Sequence, residues 1–151
     1  MTETRTCVTF QSSAFNTTET GADYINPDNF GDDLARWVIE RLNGQSVVVD
    51  PELGQEDFGW YITFEAAGQA YNLILGYRYG EASNWVGWLE RDAGLLPSLF
   101  GARRRGIMPE AAQAIHRVLS SSSEIQNVRW HFKQDFDAGK EEQSSTQPTG
   151  A

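Results

Sequence analysis

The stretch GWYITFEAAGQAYNLILGYR, residues 59–78, decides the architecture. Trp60, Ile62 and Phe64 fall on alternate positions, which places them on one face of a strand whose side chains point to either side in turn. AAGQ (66–69) carries a glycine where the chain must reverse, and AYNLILGYR resumes an apolar run, so 59–78 reads as a β-hairpin.

Reading outward, SVVV (46–49) is a short strand ahead of the acidic loop DPELGQED (50–57). YGEASN (79–84) is a turn into WVGWLER (85–91), where Val86 and Trp88 face away from Trp85 and Leu89. Tight connections between successive strands require an antiparallel sheet. TCVTFQSSAF (6–15) alternates, with Val8 and Phe10 on one side and Cys7, Thr9 and Gln11 on the other. VRWHFK (128–133) closes the pattern with Val128, Trp130 and Phe132 inward and Arg129, His131 and Lys133 outward.

Two helices punctuate the strands. Asn26 before Pro27 has the arrangement of an N-cap and a first helical residue, and Asp28, Asp32 and Asp33 suit the positive end of a helix dipole. Phe30, Leu34, Trp37, Val38 and Leu42 then share one helical face, up to the stop at Asn43–Gly44. Pro109 opens the second helix, with Ala111, Ala112, Ile115, Val118 and Leu119 as its apolar stripe. The order is β-α-β-β-β-β-α-β. The fold class is α+β: a two-layer sandwich in which two helices cover one face of a mainly antiparallel sheet of five or six strands and leave the other face partly open. Residues 1–133 form a single domain. The segment 134–151, nearly devoid of apolar residues, reads as a disordered acidic tail.

Net charge is −9, unevenly placed. Residues 1–70 hold twelve acids against three bases, whereas residues 71–133 hold five acids against eight bases. Such polarity steers a basic partner toward the acidic half. No stretch has the apolar length of a membrane span or the shape of a secretory signal, so the expected location is the cytoplasm, without membrane association. The single cysteine, Cys7, makes neither an intrachain disulfide nor a cysteine-rich metal site.

Phosphate-loop, dinucleotide, nucleophile-elbow and zinc-protease signatures are all missing. His116 and His131 have no convergent partners in the sequence pattern, and no cofactor or metal is expected. The acidic loop misses the calcium-loop template because Gln55 stands where a glycine is needed. Arg103, Arg104 and Arg105 bring a phosphate group to mind, but three bases on a chain of this acidity are a poor nucleic-acid footprint.

Two surfaces stand out as candidate binding sites. One is acidic: Asp28, Asp32, Asp33, Glu56 and Asp57. The other is aromatic and basic: Tyr61, Tyr77 and Trp85, with Leu99, Phe100 and Arg103–Arg105 from the apolar segment GLLPSLFGARRRG (94–106). In size, acidity and aromatic-rich α+β pattern the chain resembles small bacterial inhibitor, immunity and adaptor proteins. That resemblance implies a non-enzymatic domain that binds another protein, a basic one if the acidic half is used. The alternatives are a small-molecule-binding domain, using the open sheet face or a pocket under the 93–106 flap, and an unrecognised hydrolase. No feature of the sequence bears on oligomeric state.

Overall fold

The expected hairpin is the centre of the sheet. In the computed structural model, which describes residues 3–92 and 106–150, β4 (Gly59–Ala66) pairs with β5 (Gln69–Tyr77) from Trp60↔Leu75 to Ala66↔Gln69. Ala67 and Gly68 join them with φ of 53° and 77°, the positive pair typical of a two-residue type I′ turn. β6 (Trp85–Arg91) follows on β5, then β1 (Cys7–Gln11) and β7 (Gln126–His131), every pairing antiparallel. On its other edge β4 takes two short partners in succession, β2 (Val48–Val49) and β3 (Gly54–Glu56). The acidic loop of the sequence reading therefore contains a strand, β3, which brings the described sheet to seven strands in the order β2-β4-β5-β6-β1-β7 with β3 beside β4. The sheet is open rather than closed into a barrel, and the α+β class holds.

Helices α1 (Asp32–Leu42) and α2 (Pro109–Ser120) bury Leu34, Ala35, Val38, Ile39 and Leu42, and Ala111, Ala112, Ala114, Ile115, Val118 and Leu119, in the core shared with Trp60, Ile62, Phe64, Tyr71, Leu73, Trp85 and Trp130. Two amphipathic helices on one sheet face is the expected arrangement. The start of α1 differs. The Asn26 side chain donates to the Asp57 carbonyl instead of capping a helix, and the helix begins after Gly31, whose φ of 127° suits only glycine. Trp37, expected in the core, is half-buried: its ring meets the edge of Phe15 on one side and the Arg41 guanidinium on another.

The C-terminal segment is a second departure. Residues 134–150 do not trail away. Helix α3 (Lys133–Asp137) lays Phe136 against the His131 ring at a centroid distance of 5.3 Å. Ser145 then exchanges both backbone hydrogen bonds with Trp130, and the Pro148 carbonyl accepts from the Arg5 amide. Composition misleads here because polar contacts and backbone pairing hold the segment, and an apolar count registers neither. Helix α3 lies on the sheet face opposite α1 and α2, beside Cys7, Trp88 and His131, so the face expected to be partly open is covered there, while the remainder of the segment pairs along the β7 edge and reaches α2, where Gln113 donates to the Thr149 hydroxyl. That explains His131, which was expected to point outward: it is 1% exposed, and its Nε2 shares a 2.9 Å hydrogen bond with Thr9 Oγ1.

Candidate functional site

A long connection, residues 12–31, wraps the end of the sheet where β5 finishes and β6 begins. It is fastened at several points. Asn84 bridges Ser12 through both backbone directions, the Asp33 carboxylate accepts from the Asn16 amide, and the Trp60 indole N–H donates 2.7 Å to the buried Asn29 carbonyl. Gln55 on β3 accepts from the Ile25 amide and the Asn29 side chain and donates to the Asp23 carbonyl. Asn29 also donates to the Glu56 carbonyl. Short polar side chains thus bond backbone groups that would otherwise need water, which gives a loop of this length a defined shape.

The consequence is electrostatic. With Asn26 held to Asp57 and Asn29 held to Glu56, the exposed carboxylates of Asp28, Glu56 and Asp57 are set on neighbouring loops at one end of the molecule. None of the three forms an ion pair among the described residues. Asp32 and Asp33 have other work. Asp32 accepts from the Tyr24 hydroxyl at 2.8 Å and pairs with Arg36, and burial together with that Asp32 contact pushes the Tyr24 phenol up to about 12. Asp33 bonds the Asn16 and Leu34 amides. The five acids of the sequence reading therefore divide into two that organise the N-terminus of α1 and three that face solvent.

Beside Asp28 the same connection and the end of β5 enclose a cleft of about 550 Å³, lined by Thr17, Thr18, Thr20, Pro27, Asp28, Phe30, Tyr77 and Tyr79. Tyr77 stands almost perpendicular to Phe30 (89°) and to Tyr79 (80°), at centroid distances of 5.6 and 6.4 Å. Phe30 is buried, Tyr77 half-buried and Tyr79 89% exposed. Tyr77 was singled out by sequence; Tyr79, Phe30 and the threonines were not. They sit in segments read as turn and loop, where no periodicity marks a shared surface.

The described members of the aromatic-and-basic surface, Tyr61, Tyr77 and Trp85, do not come together on one exposed face. Trp85 is 0% exposed and packs within the core against Phe15 and Tyr77. Tyr61 is half-buried on the opposite sheet face, with its ring over Gly54. Leu99, Phe100 and Arg103–Arg105 lie outside the described residues, as does the pocket expected beneath the 93–106 flap.

On that opposite face the register lines up Tyr61, Ile74, Trp88, Cys7 and His131 across five strands. A smaller cavity of about 290 Å³ lies there between Cys7, Trp88, Lys133, Phe136 and Asp137. Burial pushes the Cys7 thiol up to about 12, so it is held as the unreactive thiol. Burial also lowers His131 from its ordinary 6.5, with Arg78 and Arg129 acting in the same direction against Glu141 and the Gln143 carbonyl. A protonated thiol beside a neutral imidazole is the opposite of an activated nucleophile–base pair.

Among the described residues no group of three or more His, Cys, Asp or Glu is placed to hold a metal ion, and no helix is long and apolar enough to cross a membrane. Comparison with protein-family models, with curated proteins and with solved structures found no match to this chain.

Proposed function

We propose that this protein is a non-enzymatic binding domain whose partner is another protein, a basic one, engaged by the end of the molecule that carries Asp28, Glu56 and Asp57. The observation that carries this reading is the hydrogen-bonded loop framework that sets three exposed carboxylates, without ion pairs among the described residues, at one end of the molecule, where Asp28 also lines an aromatic cleft. Gathering like charges costs stability, and scattered acids would serve solubility equally well. An acidic exterior and a single buried cysteine suit a cytoplasmic setting.

Charge complementarity of this kind acts mainly on the encounter rate. The test is stopped-flow association of a fluorescein-labelled lysine- and arginine-rich peptide at rising salt, as the Debye length shrinks from about 30 Å at 0.01 M to about 8 Å at 0.15 M. Three proteins are compared: the wild type, an Asp28→Asn/Glu56→Gln/Asp57→Asn triple, and a charge-matched triple, Glu110→Gln/Glu124→Gln/Glu142→Gln, at exposed positions elsewhere. The expected result is that the first triple slows low-salt association by about tenfold and flattens its salt dependence, while the second leaves both nearly intact. Equal effects of the two triples would show that total charge, not this surface, drives binding.

A further inference from the structure

The cleft beside Asp28 has more chemistry than a steering surface requires. We infer that it receives one arginine side chain of the basic partner, with the guanidinium against the Phe30–Tyr77–Tyr79 rings and its N–H groups directed to Asp28 and the threonine hydroxyls. This rests on the protein-binding reading above and names the group that the partner presents.

Four features point to that occupant. The first is the set of free acceptors. The Asp28 carboxylate and the Thr17 and Thr18 hydroxyls make no hydrogen bond to other described residues, and Thr20 Oγ1, which donates to the Pro27 carbonyl, keeps lone pairs to accept. A guanidinium brings five N–H donors in a flat fork and satisfies several acceptors at once, whereas an ammonium is a compact point charge.

The second is ring geometry. A neutral sugar stacks on a flat aromatic platform. Here successive rings meet at 89° and 80°, so they form no flat platform, and the face of the exposed Tyr79 ring attracts a cation.

The third is size: about 550 Å³ falls within the range of ligand pockets and admits a long side chain with the peptide that carries it. The fourth is that the chain's own described arginines are engaged elsewhere. Arg78, between Tyr77 and Tyr79 in sequence, is turned to Glu81, Glu141 and the Ser83 carbonyl; Arg36 pairs with Asp32, and Arg41 lies over Trp37.

The test is a titration of the ¹⁵N-labelled full chain, followed by two-dimensional NMR, with N-acetyl-arginine amide, N-acetyl-lysine amide and N-acetyl-citrulline amide, the last matching arginine in shape without its charge. Arginine is expected to shift the amides of Thr17, Thr18, Asp28, Tyr77 and Tyr79 in a saturable way, with Kd on the order of 1 mM. Lysine should bind several-fold more weakly, and citrulline at least about tenfold more weakly. Tyr79→Ala and Asp28→Asn, both at exposed positions, should each weaken arginine binding about fivefold or more without altering the rest of the spectrum.

Citrulline binding as well as arginine, lysine binding more tightly, or shifts centred on Cys7 and Trp88 would overturn the inference. Should arginine produce no saturable shift while the basic peptide still depends on Asp28, Glu56 and Asp57, the arginine site fails and the protein-binding reading stands. Loss of both responses would remove both.

Discussion

Arg78, the residue after β5, donates from Nη1 and Nη2 to the two carboxylate oxygens of Glu141, sixty-three positions downstream. The fork joins the sheet to a segment that composition alone would release into solvent. Arg78 is only 14% exposed, so its charge relies on that partner and on Glu81 at 3.6 Å. Truncation after Ala138 removes Glu141, the Ser145 pairing with Trp130 and the carbonyls that hold Arg5. It should cost about 1–3 kcal/mol, visible as a fall in Tm of roughly 3–10 °C. A truncated protein that melts with the full chain would show that the segment contributes nothing.

Trp130 and Trp37 should behave differently although both look like core in the sequence. Trp130 is fully buried, and its indole N–H donates 3.0 Å to His116 Nδ1. Trp130→Ala combines a cavity with a lost buried hydrogen bond, and about 3–5 kcal/mol is expected. Trp37 has Phe15 and Arg41 as its aromatic and cationic contacts at a half-exposed site, and Trp37→Ala should cost about 1–2 kcal/mol. Urea denaturation of the two variants measures the difference, and equal losses would contradict the assigned burial.

The β4–β5 turn should accept improvement. Ala67 sits at φ 53°, a region costly for alanine and tolerated by asparagine, ahead of Gly68 at φ 77°. Ala67→Asn creates the Asn-Gly pair that a type I′ turn favours and should raise stability by about 0.5–1 kcal/mol. A loss of stability in thermal melts would mean that the hairpin uses another turn.

Acid should weaken the fold through its imidazoles. Burial is the leading cause that lowers both His116 and His131 below 6.5 in the native state, whereas the unfolded chain titrates them near 6.5. Unfolding therefore takes up protons below that value, and the stability due to neutral histidine is complete above 6.5 and declines as pH falls. Tm should drop between pH 7.5 and 5.5, less steeply in His131→Gln. An unchanged slope in that variant would remove His131 from the account.

The sheet was legible because its strands are long and alternate cleanly: Trp60, Ile62 and Phe64 all reach the core as spaced. Gly31 shows why a helix start is harder to read. The Asn26–Pro27 signal is genuine turn chemistry, yet Asp57 offers Asn26 a partner across space that no sequence window contains. The second sheet face failed for a related reason. His131 alternates correctly with Trp130, but alternation says which face a residue takes and not what covers it, and the cover comes from a polar segment held by Arg5, Arg78 and Arg129. Of the candidate site, the charge asymmetry and Tyr77 were visible. Tyr79 and the threonines were not, because a cleft between a loop and a strand end leaves no periodic trace.

The footprint of a basic peptide on the ¹⁵N-labelled protein locates the binding surface. Amide shifts are expected to be confined to residues 16–31, 54–58 and 77–80 and to fade as salt rises. A footprint on Val86, Trp88, Cys7 and Phe136 that persists in salt would contradict that expectation and place binding on the opposite sheet face.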